Sequence, residues 1–329
     1  MADLFGNEPL PAPTTVASKP ARKPTGRIGP AEPTPEITAL AARTSKQLYL
    51  GTSSWYFPGW AGFVYDRAAP EARVSREGLS AYAQHPLLRS VSIDRAFYQP
   101  LNHGDYTRYA AQVGDHFRFT VKAYRGLTDP QMEGAHNPLF LDAGYAREAI
   151  LQPFLEGCSA KAGVWVMQFS PELPRRARCT AREFAQRLGD FLGALQSPIP
   201  VAVEIRDSEL LTPDYFAALQ ANAAVHCVNV HPLGLPLIEQ VRRIGHRPEP
   251  LVIRWMLHAG FAYEQARERY SPFDRLVDED PATRAIVAKL ARRALDAGGT
   301  VYVIANNKAE GSAPLTLFKL AEGIAGEAA

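Results

Sequence analysis

The sequence predicts an α/β fold, a (β/α)8 TIM-type barrel with a disordered N-terminal tail. Three observations predict it. Eight short runs rich in β-branched and aromatic residues are spread over residues 48–305. Helical patterns lie between most of them, and strand alternating with helix gives a parallel sheet. Nearly every run ends in a polar residue that a core strand would not choose, as at Val121-Lys122, Met167-Gln168, Val203-Glu204, Ile253-Arg254 and Ala305-Asn306-Asn307. In a parallel barrel the strands' carboxyl ends share one face, and that face carries the active site. A doubly wound open sheet is the alternative. No GxGxxG follows the first run, which weakens its dinucleotide-binding form.

Residues 1–46 are rich in Pro, Ala and Thr. Prolines from Pro9 to Pro35 oppose helix and ladder formation, so this segment reads as a disordered, mildly basic arm. Its roles are a solvated tail or a docking arm for a partner that the sequence does not name. The barrel takes residues 47–329, with strands predicted at 48–52, 88–93, 117–122, 163–169, 200–205, 224–230, 251–255 and 300–305. Residues 180–195 place Phe184, Leu188, Phe191, Leu192 and Leu195 at helical spacing, and Thr180 with Glu183 forms a capping box. Pro213 starts a helix over 212–222. A helix over 282–297 stops at Gly298-Gly299, and one over 312–324 closes the chain. Two long connections, 53–76 and 123–142, leave strand carboxyl ends. The first is crowded with Trp55, Tyr56, Phe57, Trp60, Phe63 and Tyr65. It reads as packing on the rim or as a stacking wall for a ring-shaped substrate.

The formal charge of +2 gives no bulk argument for nucleic acid or membrane. Cys158, Cys179 and Cys227 have no CxxC spacing, which fits a reducing, cytoplasmic setting. No apolar run nears the ~20 residues that cross a bilayer, and the first residues lack a signal peptide's apolar stretch.

Several motifs then resemble one family. Gly51-Thr52-Ser53-Ser54-Trp55-Tyr56-Phe57-Pro58-Gly59-Trp60, with Phe63-Val64-Tyr65, is similar to the opening of the YecE-like family (domain of unknown function 72). Phe97-Tyr98, Phe117-Arg118-Phe119-Thr120-Val121-Lys122, Gln168-Phe169-Ser170-Pro171, Ala202-Val203-Glu204-Ile205-Arg206, Arg254, and Val301 to Asn307 with Gly311 follow in the family's order. The resemblance covers nearly all of 47–324 and implies a TIM-type barrel with no established reaction. The chain departs from the family pattern at Ser92, Asp94 and Ala96 after the second strand, at Asp129 after the third and at Asp207 after the fifth.

The strand ends gather a candidate constellation. Lys122, Glu204, Asp94 and Tyr98 are the catalytic candidates. A lysine beside arginines has the depressed pKa that a base or Schiff-base residue needs, with Glu204 as acid/base partner. Trp55, Gln168, Arg206, Arg254, Asn306 and Asn307 are the substrate-binding candidates. Lys308, Gly311 and Ser312 form an anion site, because a glycine turn entering a helix presents free N–H groups. An internal ion-pair network is the structural alternative for the cup, and helix capping that for the turn. No cofactor is expected. His103, His136, His231 and His258 with Glu204 and Asp94 offer a divalent-metal set, but no HxH or HExxH spacing supports it. Arg175, Arg176, Arg178 and Arg182 lie on the active face, where they either steer anions or form solvated charge.

The expected function is an enzyme, a hydrolase, lyase or isomerase, acting on a small anionic or polyhydroxylated substrate such as a phosphorylated sugar. The alternatives are a nucleic-acid phosphodiester enzyme and a non-catalytic ligand-binding or interaction module.

Overall fold

The computed structural model describes residues 26–326. Among the described residues, one sheet holds nine parallel strands: β1 (Leu48–Thr52), β2 (Leu88–Ile93), β3 (Arg118–Lys122), β4 (Ala162–Gln168), β5 (Val201–Glu204), β6 (Val225–His226), β7 (Val228–Val230), β8 (Leu251–Trp255) and β9 (Val301–Ala305). Their order is β6-β5-β4-β3-β2-β1-β9-β8-β7. The sixth predicted run is split. Its first half pairs with β5 and its second with β8, so the two edges of the sheet meet in one stave and the ring is nearly closed. Cys227 at the break still donates its N–H to Val203 O at 2.9 Å. The chain is thus an eight-staved TIM-like barrel, and the open-sheet alternative falls.

Helices flank the ring. Ala181–Leu195 carries the capping box read from the sequence: Glu183 N donates to Thr180 Oγ1 at 3.2 Å, and Thr180 N to Glu183 Oε2 at 2.8 Å. Phe184, Leu188, Phe191, Leu192 and Leu195 are buried against the barrel's outer face. Pro213–Ala221, Pro281–Asp296 and Ala313–Ala325 all begin near a proline, which costs nothing where the N–H has no helical partner.

The expected tail needs a correction at its carboxyl end. Residues 1–25 lie outside the described residues, but order begins well before Gln47. Thr34 caps the helix Pro35–Arg43, whose first residue is a proline in the permitted position. Leu40 is buried, and the helix packs on Ala313–Ala325. Ahead of it, Ala31 N donates to Val64 O and Asp66 N to Gly29 O, both at 3.0 Å. The position of a proline, and not the number of prolines, decides whether it breaks a helix or starts one, as Pro35 does.

Strand side chains alternate between the two faces of the sheet. Val164, Val166, Ala202, Val225, Cys227, Val252 and Tyr302 share one apolar cluster inside the barrel, floored by Tyr302 stacked on Tyr49 at 4.7 Å. Continuing each inward register toward the carboxyl end gives Asp94, Lys122, Gln168, Glu204 and Arg254. A polar layer therefore stands directly above a dry plug. Gly51 is required beside it, since a Cβ there would lie 2.4 Å from Ser90 O.

Both long connections are ordered. In the first, Trp60 and Tyr65 are fully buried, the Tyr65 hydroxyl donates to Trp55 O, and Phe57 packs edge-on against Phe273 at 5.4 Å. The second contains the turn of helix Arg125–Thr128 and a hairpin of Gln131–Met132 with Ala135–His136.

Candidate functional site

The mouth is organised around Glu204. Its side chain is 0% exposed, and both oxygens are engaged. Oε2 pairs with Arg254, while Oε1 accepts from Arg206 Nε at 3.2 Å and Nη2 at 2.9 Å. Burial alone would raise this carboxyl, but Arg254, Arg206 and Lys122 outweigh it and hold it at about 2. Arg254 also donates to Gln168 Oε1 at 3.0 Å and lies 4.0 Å from Asp94 Oδ2. Burial disfavours the Arg254 charge, yet Glu204 and Asp94 raise its pKa overall. The expectation that Glu204 exchanges protons is revised: a carboxylate gripped by two guanidinium groups is an anchor.

Lys122 is treated differently. It is 7% exposed, and among the described residues its ammonium makes no hydrogen bond or ion pair; it sits 3.8 Å from the centre of the Phe97 ring. Burial pulls its pKa down to about 8, with Asp94 and Glu204 opposing and the two arginines assisting. Lys308 repeats the arrangement. It too is 7% exposed, its ammonium lies 4.2 Å from the centre of the Tyr263 ring, and burial lowers it to about 8 against Asp94. Asp94 is the carboxylate with freedom to act: it is half-buried and accepts from Ser92 Oγ at 2.7 Å. Lys122, Lys308, Arg206 and Arg254 share the mouth with Glu204 and Asp94, and Glu264 also acts on Lys308.

Other candidates are placed elsewhere. Tyr98, expected in the cup, is 69% exposed on the rim, edge-on to Phe97. Trp55 is buried with its indole N–H on Ser75 O at 3.1 Å, so it supports Tyr56 and Tyr109 and offers no free stacking face. It still lines a groove of about 560 Å3 that runs past Tyr56, Glu71 and Asp94. Asn306 and Asn307 part company. Asn306 stays at the mouth, donating to Ser53 Oγ at 2.7 Å, whereas Asn307 is buried and accepts from Ala313 N at 2.8 Å, capping the last helix.

That cap closes the expected anion turn. Gly311 has φ +120°, a Cβ on it would lie 2.5 Å from Arg275 O, and Ser312 is fully buried. The helix end is covered by protein, and of that trio Lys308 alone reaches the mouth.

Two departures from the family pattern have structural employment. Asp207 accepts from Glu172 N at 2.9 Å and Leu173 N at 3.1 Å. Asp129 pairs with Arg176, whose guanidinium also donates to Gln131 O at 3.1 Å. Arg175 pairs with Glu172. Arg176 is therefore committed to the connection after β3, which weakens its proposed steering role, whereas Arg175 is 79% exposed and paired only within its own segment. Ser92 and Asp94 bond each other and remain in the mouth.

No group of three or more His, Cys, Asp or Glu that could hold a metal occurs among the described residues. His103 and His136 are exposed, and burial lowers His231 to about 4. No described helix is long and apolar enough to cross a membrane.

The residues that sequence reasoning missed are platforms and clamps. Phe97 was read as a motif member and not as the ring under Lys122. Tyr263, in the charged segment Tyr263–Tyr270, has no periodic signal. Gln240 is fully buried and locks β7, accepting from Asn229 N at 3.0 Å and donating to Asn229 O at 2.7 Å.

The profile of the family described as "Protein of unknown function DUF72" matches residues 49–329. The UPF0759 protein YunF of Bacillus subtilis (strain 168) is 26% identical over 216 residues, 63% of this chain and 65% of that protein, so the chain spans about two thirds of its length. The crystal structure of a DUF72 family protein from Enterococcus faecalis V583 aligns with 86% of this chain and 97% of its own, at 19% identity and TM-score 0.57. One from Thermotoga maritima MSB8 aligns with 83% and 97%, at 17% identity and TM-score 0.52. These likenesses concern the fold.

Proposed function

The chain belongs to the DUF72 family, described as being of unknown function, and on that premise we propose that its barrel mouth is an enzyme site for a small anionic substrate. The observation that carries the reading is Lys122, a buried amine with no counter-ion in hydrogen-bond reach among the described residues, near the partly exposed carboxylate of Asp94. An unpaired ammonium in a desolvated site is costly unless a ligand completes it. Arg254, Arg206 and Lys308 add positive charge that a phosphate or carboxylate group would neutralise.

Lys122 would supply the reactive amine, as a base or as a nucleophile toward a carbonyl, because burial brings its pKa down to about 8. Asp94 would be its proton partner. Glu204 would hold Arg254 and Arg206 in place, and Gln168 and Asn306 would orient the substrate. The first measurement is a thermal-shift series with ribose 5-phosphate, other phosphorylated sugars and their unphosphorylated forms. Phosphorylated compounds should raise the melting temperature by mass action and the neutral sugars should not. Turnover by a hit should then be lost in Lys122→Met. The reading is overturned if no anion shifts the melting temperature, or if Lys122→Met turns over at the wild-type rate.

A further inference from the structure

Large apolar side chains are exposed at four described positions, Tyr98, Leu233, Ile238 and Tyr263, with exposures of 69, 59, 49 and 56%. Tyr98 and Tyr263 follow the carboxyl ends of β2 and β8, while Leu233 and Ile238 follow β7, Ile238 within the helix Leu237–Ile244. Scattered exposed apolar residues need no explanation, but grouping on one functional face does. Two of them are tyrosines, and each is tied to a buried lysine. Tyr263 carries the Lys308 ammonium over its ring at 4.2 Å. Tyr98 lies edge-on to Phe97 with centroids 5.4 Å apart, and Phe97 carries Lys122 at 3.8 Å. Arg254 at the end of β8 lies 4.0 Å from Asp94 just after β2, so the connections that carry Tyr263 and Tyr98 leave ends that converge on one opening. Burial itself, then Asp94 and Tyr263, raise the Tyr98 phenol. The motif of an amine below and an aromatic ring above thus occurs twice around one opening.

We propose that the substrate is a planar aromatic ring bearing a phosphate, with the phosphate at the depth of Lys122 and Lys308 and the ring packed between Tyr98 and Tyr263. This rests on the anion-binding reading above and adds the class of group attached to the anion. An exposed tyrosine face is an apolar platform that stacks on a flat ring and costs little entropy to order. A simple anion would engage the amines and leave Tyr98 and the outward face of Tyr263 in water. The neighbouring groove, with Tyr56, Glu71 and Asp94 on its walls, has space for a linking sugar whose hydroxyls donate to the carboxylates.

Calorimetric titration of the full chain with inorganic phosphate, ribose 5-phosphate and AMP tests the proposal. AMP should bind about tenfold tighter than ribose 5-phosphate, the scale of one stacked base. Tyr98→Ala and Tyr263→Ala should each reduce the ratio of AMP to ribose 5-phosphate affinity, and Tyr98→Ala, whose ring touches neither amine, should leave ribose 5-phosphate affinity as in the wild type. Lys308→Met should weaken both ligands. Equal affinity for AMP and ribose 5-phosphate, or a gain that survives both tyrosine variants, overturns the ring proposal and leaves the anion reading standing. Failure of all three ligands to bind overturns both.

Discussion

Glu204 and Arg254 form an ion pair inside the barrel, with 0% and 2% of their side chains exposed, reaching past the stave that separates β5 from β8. The pair is the pivot of the mouth, because Arg206, Gln168 and Asp94 all take their positions from one partner or the other. Glu204→Gln keeps the shape and strips the buried Arg254 and the partly buried Arg206 of their counter-charge. Removing one member of such a pair costs about 3–5 kcal/mol. Urea denaturation should show a loss of that order, and the double variant with Arg254→Met should lose less than the sum of the single changes.

The same pair sets the acid limit of the fold. The Glu204 carboxyl is held at about 2 against an ordinary 4.5, so its ionised form is favoured by folding. That contribution is complete above pH 4.5 and disappears as pH falls through about 2. Wild-type stability should therefore fall more steeply over this window than that of Glu204→Gln. Parallel slopes in acid denaturation would remove the carboxylate from this role.

Lys122 and Lys308 act in the opposite sense. Each is lowered from 10.5 to about 8, so the fold disfavours its ammonium form. The penalty is full below pH 8 and is relieved as pH rises toward 10.5. Acetic anhydride labelling read by mass spectrometry should show both amines gaining reactivity as the pH passes about 8. Lys122→Met should raise stability, by about 1 kcal/mol, the scale of a gain made by relieving a functional site.

Asp129 and Arg176 join the connection after β3 to the one after β4. Asp129→Ala should cost about 1 kcal/mol or less, as expected for a partly exposed pair. Its main effect should be local. Hydrogen exchange should accelerate over residues 130–140 while the barrel strands stay protected, because Gln131 N also loses its bond to Asp129 Oδ1.

Gly311→Ala should destabilise by at least about 2 kcal/mol, since a left-handed backbone and a covered Cβ position act together. Ser312→Ala should leave ribose 5-phosphate affinity as it is, because Ser312 is fully buried under the last helix. A weakened titration isotherm for Ser312→Ala would reopen the helix terminus as an anion site.

Much of the barrel was legible before any coordinates. The strands at 48–52, 88–93 and 251–255 match the observed ones end to end, and the Thr180–Glu183 box opens its helix as read. These features depend on periodicity and on capping groups three residues apart, which are local. The candidate site was legible as a set of residue types at strand ends, and Lys122, Glu204, Arg254 and Gln168 do share one layer. Their chemical roles were not legible. Glu204 looked like a proton carrier until its two arginines were seen to occupy it. Asn306 and Asn307 looked equivalent, yet one bonds Ser53, 253 residues away, and the other caps a helix.

Residue order alone determined where the staves run and which side chains stand at their carboxyl ends, because a two-residue alternation and a helix cap are decided by near neighbours in the chain. Folding in three dimensions decided which ends share a space, which amines have no hydrogen-bonded counter-ion among the described residues and which carboxylate is locked. Charge state follows from desolvation and from Coulomb partners brought in by remote segments, and no stretch of sequence contains that information by itself.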